Sequence, residues 1–294
     1  MIKENCLIMK STAGFYYVRS EDGEITECRA RGVFRKQKLS PLVGDKVTIE
    51  TDGKNGTVTE IYERRNSLIR PPVANIDKLI IISSVTQPLP NLPIIDKLTA
   101  IAADKNIEPV VVFSKADLGD AASLVEIYKK SGIESFAVSS KTGEGIENFK
   151  HIFDSSVCVL TGNTGVGKSS ALNAINPDLD LATAHISNKL GRGRHTTRTV
   201  ELYEMFGGYI ADTPGFSSLD FENSEIIIKE NLPFCFPEFE EYIGQCKFVS
   251  CAHIGEKGCR ICQAVADGDI QQSRYDSYRL MYDEVKDYKE WENK

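Results

Sequence analysis

The stretch TGNTGVGKSS, residues 161–170, decides how this chain must be built. Gly162, Asn163, Thr164, Gly165, Val166, Gly167, Lys168 and Ser169 fit G-x-x-x-x-G-K-[ST] at every position. The apolar run VCVL at 157–160 precedes them, and SSALNAI at 169–175 reads as a helix. That strand–loop–helix setting is what a phosphate-binding loop needs. Its glycines let backbone N–H groups converge on phosphate oxygens, and the helix N-terminus adds its positive end. Lys168 is expected to reach the β- and γ-phosphates and Ser169 to bind Mg²⁺, with Ser170 completing the nucleotide-binding stretch.

Two elements follow the loop in the chain. Asp212-Thr213-Pro214-Gly215 ends the strand GYIAD. A D-x-x-G there places Asp212 near Mg²⁺ and leaves the Gly215 amide to sense a γ-phosphate. Between loop and strand lies GRGRHTTR at 191–198, whose threonines offer a further hydroxyl to Mg²⁺. Thr197, just before Arg198, is favoured, with Thr196 close behind. The glycines suggest a mobile loop that orders on γ-phosphate.

Two elements precede the loop instead. Ser114-Lys115-Ala116-Asp117 ends the apolar run EPVVVF and approximates N-K-x-D, which reads guanine. Asp117 accepts two hydrogen bonds from a guanine edge that adenine lacks, and buried hydrogen-bonding sites reject ligands that leave them unpaired. Lys115 lays its aliphatic stem on the base. Ser114 stands where asparagine is usual. Serine is shorter and is not expected to span the same two partners, so a looser loop and weaker binding follow. Ser139-Ser140-Lys141, after the next strand, resembles S-A-K, whose backbone amide meets the base oxygen. The base-reading motifs thus come before the phosphate loop, the reverse of the usual order. The set is one GTPase cut and rejoined, a circular permutation, with all elements still at one edge of an α/β sheet.

The chain has 294 residues, 41% hydrophobic and 26% charged, which leaves room for two or three domains. No run of 18 apolar residues and no signal peptide is seen, so a cytoplasmic protein with no membrane partner is expected. Net charge is −7, against diffuse nucleic-acid binding, yet RARGVFRKQK at 29–38 and SNKLGRGRHTTRT at 187–199 are basic without an acid. Each patch alone reads first as solvated surface charge; two of them in an acidic chain strengthen the case for a polyanionic partner such as structured RNA. Residues 1–68 read as five short strands, an OB-type β-barrel. RRNSLIRPPVAN at 64–75 reads as an extended connector. Residues 69–224 alternate strand and helix, an α/β P-loop domain with a mainly parallel sheet. Residues 225–294 are proline-punctuated, then mostly helical.

Of eight cysteines, four crowd together near the end. Cys246-x4-Cys251-x-His253-x5-Cys259 offers three thiolates and one imidazole, a closed tetrahedral set for structural Zn²⁺. Cys262 is a spare thiol able to replace Cys259.

PLVGDKV (41–47), GNTGVGKSS, RGRHTT, DTPGF, FPEF (236–239), GQC (244–246) and the cysteine spacing together resemble the ribosome small-subunit-dependent GTPase family, RsgA. The resemblance covers nearly the whole chain. It implies an OB barrel, a circularly permuted GTPase domain and a zinc domain. It also implies GTP hydrolysis to GDP late in 30S subunit assembly, with the subunit and its rRNA as partner and stimulator. A monomer is expected. Ser114, and Ala171 where a larger apolar residue is common, depart from the pattern. Phe216 follows DTPG, where many GTPases place a water-orienting glutamine, so unstimulated hydrolysis should be slow. His195, alone among arginines beside the threonines, is the candidate to position water once rRNA orders the loop; contact with RNA or solvent alone is the plainer role. An RNA-binding assembly factor using GTP only as a structural ligand or binding switch is the alternative function, and a large-subunit GTPase a third.

Overall fold

The computed structural model describes residues 1–37, 39–176, 200–212 and 224–288, with the backbone alone at Arg35 and Asp212. The first five strands are β1 (Ile2–Thr12), β2 (Phe15–Arg19), β3 (Ile25–Ala30), β4 (Lys46–Thr51) and β5 (Asn55–Ile61). They hydrogen-bond in the order β1-β2-β3-β5-β4, and β4 returns to β1. Only the β3–β5 pair is parallel. This closed ring is the expected OB-type barrel, and closure removes the free edges of a small sheet. Side chains alternate: Thr26 and Cys28 of β3 point into the core while Arg29 points to water. The short helix α1 (Gly32–Lys36) crosses from β3 to β4 and buries Phe34.

The connector is not extended. The strands β6 (Ser67–Leu68) and β7 (Val73–Ala74) pair as an antiparallel ribbon, with a cis Arg70–Pro71 bond between them. Asn66 closes its base, its amide donating to the Ile76 carbonyl and accepting from the Ile76 N–H, both at 2.8 Å. Two prolines suggested extension, but side-chain bonds of this kind reverse a chain locally.

Beyond it, β8 (Lys78–Ser84), β9 (Glu108–Ser114), β10 (Glu134–Val138), β11 (Val157–Thr161) and β13 (Gly208–Asp212) form a parallel sheet in the order β10-β9-β8-β11-β13. The strand β12 (Val200–Met205) pairs antiparallel with β13 as a hairpin. The helices are α2 (Leu92–Asp104), α3 (Ala122–Lys130), α4 (Ile146–His151) and α5 (Lys168–Ile175). Strands buried on both faces read as continuous apolar runs. Along β8, Leu79 and Ile81 face the core under α2 and α3, while Ile80 and Ile82 face the one under α4 and α5. Asn91 caps α2 by accepting from the Ile94 N–H at 3.3 Å, and Pro93 sits in its first turn.

The C-terminal region holds two 3₁₀ turns, Leu232–Cys235 and Pro237–Phe239, then α6 (Arg260–Asp267) and α7 (Gln272–Val285). It is fastened to α2 by Arg274, which is 0% exposed. The guanidinium donates to Asp96 Oδ1 at 2.9 Å, Thr99 Oγ1 at 3.0 Å and Glu238 Oε1 at 2.8 Å. Its planar face lies 4.7 Å from the centre of the Phe236 ring. Ser277 donates to the other oxygen of Asp96. Arginine suits this role because its fork satisfies several acceptors at once. Arg274→Ala would strand two buried carboxylates, a loss of about 3–5 kcal/mol. Denaturant unfolding monitored by circular dichroism checks this.

Candidate nucleotide site and metal centre

The strands β9, β10, β11 and β13 run in one direction, so the segments leaving their C-terminal ends gather at one sheet edge. From β11 the chain enters the phosphate loop. Gly162 has φ of +149°, and a Cβ there would lie 2.2 Å from the Ile82 carbonyl oxygen. Only glycine lets the loop start this close to β8. Gly167 opens α5 in the left-handed region, and the Ala171 N–H donates to its carbonyl at 2.9 Å. Ser169 and Ser170 fall in the first turn of α5. Lys168 folds its ammonium into the loop, donating to the carbonyls of Gly162 and of Asn163, the latter at 2.9 Å. Burial pushes its pKa down. A phosphate beside it would favour the charged form.

The base-reading segment touches the phosphate loop directly. The Ser114 hydroxyl, buried, lies within reach of the Ser83 carbonyl at 3.2 Å and makes a short contact to the Val166 carbonyl. Serine therefore does bridge β8 and the loop, contrary to the expectation from its length, because the strand end brings the two carbonyls close to it. Its one proton serves one of them at a time. Lys115 adopts a left-handed φ of +57° and turns its ammonium back to the carbonyls of Gln87 and Gly165, the latter at 2.8 Å. Asp117, in the 3₁₀ turn Ala116–Leu118, accepts from the Ser139 hydroxyl at 2.7 Å, and Lys141 lies 4.0 Å from its other oxygen. Ser139 is fully buried and Ser140 is exposed. One carboxylate oxygen is thus fixed by Ser139. The Lys115 contacts with Gln87 carry no signal in the sequence.

His195, Thr196, Thr197, Gly215 and Phe216 lie outside the described residues, as does the side chain of Asp212. The backbone shows where Asp212 sits: it is the register partner of Glu201 across the β12–β13 hairpin.

In the C-terminal region, Cys246, Cys251, His253 and Cys259 bring their ligand atoms within 4.8 Å of one another. His253 Nδ1 is 3.5 Å from Cys246 Sγ and 3.5 Å from Cys259 Sγ, and these two sulfurs are 3.9 Å apart. Backbone N–H groups of Arg260 and Cys262 donate to Cys246 and Cys259 sulfurs at 3.3 and 3.4 Å. The four converge on one metal-sized point, as expected. Cys262 is not one of the four, and its thiol meets the Tyr275 hydroxyl at 3.1 Å.

Comparison with known proteins agrees with this geometry. The RsgA N-terminal domain model matches residues 5–58, and the RsgA GTPase model matches residues 61–222. This chain belongs to the RsgA GTPase family. It is 44% identical to the small ribosomal subunit biogenesis GTPase RsgA of Bacillus cytotoxicus, covering 96% of this chain and 97% of the relative. It is 45% identical to the RsgA of Geobacillus thermodenitrificans, with the same coverage of 96% and 97%. Among solved structures it is similar to YloQ, described as a circularly permuted GTPase, with a TM-score of 0.78, 37% identity, and coverage of 98% of this chain and 96% of that one. It is also similar to YjeQ from Thermotoga maritima, with a TM-score of 0.80, 34% identity, and coverage of 98% and 100%. As an RsgA GTPase the chain carries the permuted order seen above, base-reading strands first and phosphate loop after.

In this RsgA chain the Ser114 hydroxyl is the buried bond between the two halves of the nucleotide site, beside the exposed one from Lys115 to Gly165. Ser114→Ala should cost about 1 kcal/mol, roughly fivefold in GDP affinity, with the fold intact. Fluorescent-GDP titration of both proteins measures it.

Proposed function

We propose that this chain converts GTP and water to GDP and phosphate, as a cytoplasmic, monomeric factor in biogenesis of the small (30S) ribosomal subunit. The observation that carries the reading is the joint at the sheet edge. Lys115 reaches the phosphate loop, and Ser139 holds the Asp117 carboxylate that would read guanine. A site with these groups in contact accepts one guanine nucleotide across both elements. The names of the RsgA relatives supply the ribosomal context.

The division of labour follows from the residues. Asp117 accepts from the base, Lys115 covers it, and the turn through Ser139, Ser140 and Lys141 closes over its oxygen. The amides of residues 162–170 surround the phosphates, and Lys168 carries charge where the leaving group develops it, in most enzymes the largest contribution. Ser169, Thr197 and Asp212 would hold Mg²⁺, which supplies further charge neutralisation on the β- and γ-phosphate oxygens. The Gly215 amide reports the γ-phosphate. His195 positions the attacking water, since Phe216 has no group able to do so. The barrel's exposed Arg29, Arg31 and Lys36, with Arg29 lying 4.7 Å over the Phe15 ring, suit an rRNA partner.

The Cys₃His set is assigned to structural zinc. Bond lengths of about 2.3 Å to sulfur and 2.0 Å to nitrogen in a tetrahedron require S···N edges of about 3.5 Å and S···S edges of about 3.8 Å. The separations of 3.5 and 3.9 Å given above support it. The three domains are set at 1–68, 69–224 and 225–294, and the matches at 5–58 and 61–222 support the first two.

With saturating small subunits, the protein should hydrolyse GTP and spare ATP. His195→Ala should lower the stimulated kcat about 10²–10⁴-fold while GDP affinity and subunit binding hold. An unchanged kcat would remove His195 from the mechanism.

A further inference from the structure

The barrel and the GTPase sheet are one hydrogen-bonded surface, joined at a seam between β1 and β12. Lys10 and Ser11 are in register with Glu201 and Val200. Glu201 is at once the register partner of Lys10 on one side and of Asp212 on the other. A barrel residue, a hairpin residue and the D-x-x-G aspartate therefore lie side by side across three strands. In the chain, only Arg198 and Thr199 stand between Thr197 and Val200.

Side chains bind the same seam. Lys10 Nζ lies 2.6 Å from Glu201 Oε2, and Arg19 Nη1 lies 2.6 Å from Glu204 Oε2. Arg19 also reaches the Tyr209 hydroxyl on β13 at 3.4 Å. These side chains are 30–57% exposed, and pairs that open to water contribute little to stability. Among the described residues only two register pairs join β1 to β12, against five joining β12 to β13. The seam is thus the shortest strand pairing described in this sheet, with Val200 buried within it.

The barrel's other attachment is of a different kind. Val43 bridges Val73, and both are buried. The Ala74 N–H donates to the Val43 carbonyl at 2.8 Å, and Asn75 donates to the Gly44 carbonyl at 2.9 Å. A Cβ on Gly44 would lie 2.2 Å from the Ala74 carbonyl oxygen. This buried, close-packed contact would be the pivot for a barrel whose turning makes or breaks the seam.

We infer that Lys10 and Arg19 are positioning residues for hydrolysis: through Glu201 and Glu204 they let the seating of the barrel set the position of the β12–β13 hairpin, and so carry the small subunit's stimulation to the nucleotide. The inference rests on the functional reading above. Neither residue touches nucleotide; they act through the strand that pairs with the one ending at Asp212.

The test is steady-state GTP hydrolysis by three full-length proteins: unaltered, K10E/R19E, and K10E/R19E with E201K/E204R restoring opposite charges. Each is measured alone and across a small-subunit titration, with melting temperature as a check on folding. Charge reversal should lower the stimulated kcat about tenfold. Turnover without subunits and the half-saturating subunit concentration should stay within about twofold. The swapped protein should recover most of the stimulated kcat. An unchanged kcat, a loss that the swap fails to recover, or a shift in half-saturation in place of kcat would overturn the inference, the last by placing Lys10 and Arg19 against RNA. Absence of stimulation in the unaltered protein would instead overturn the functional reading, and the seam's role with it.

Discussion

Parallel hydrogen bonding of β9, β10, β11 and β13 is the constraint on which the site depends. Strands of one direction end on one side, so their exit loops meet whatever order the chain visits them in. That is why the elements can be permuted without losing the site. The chain enters the sheet at β8 and leaves it after β13, where the usual arrangement has these two strands joined in sequence. The phosphate loop keeps its place between them.

Permutation has a mechanical result. It frees two ends of the GTPase domain, one entering β8 at the opposite edge of the sheet and one leaving β13 at the nucleotide edge, and attaches a body to each. The barrel precedes β8 and returns to seat against β12. The C-terminal region follows the D-x-x-G segment and is locked onto α2 by Arg274, Asp96 and Glu238. One attachment is a buried charge cluster that has to stay whole, because each member left alone would be an unpaired charge out of water. The other is a two-pair strand ladder flanked by part-exposed ion pairs. The metal cluster serves the C-terminal attachment, since Tyr278 of α7 donates to the carbonyl of Ala252 between two of its ligands at 2.7 Å.

Much of this was legible in the sequence. The phosphate loop, the strand-end S-K-A-D and the cysteine spacing are short, local signals tied to fixed backbone geometry. The alternation of apolar runs and helices gave the sheet, and five short strands gave the barrel. What escaped is what depends on long-range geometry. Ser114 reads as a weakened asparagine until the Val166 carbonyl is seen within its reach. Pro71 and Pro72 read as extension, yet Asn66 folds the segment into a ribbon. Arg274 reads as one more charge on an amphipathic helix, and only its distant partners, Asp96 and Glu238, make it a clamp. Lys10 and Arg19 likewise sit on plain strands, and their partners lie nearly two hundred positions away in the chain.

The most direct measurement is GTP turnover by the purified chain alone, with small ribosomal subunits, and with large subunits. The account predicts slow turnover alone, strong acceleration by small subunits, and none by large ones. Turnover that small subunits leave unchanged, or that large subunits raise equally, would contradict it.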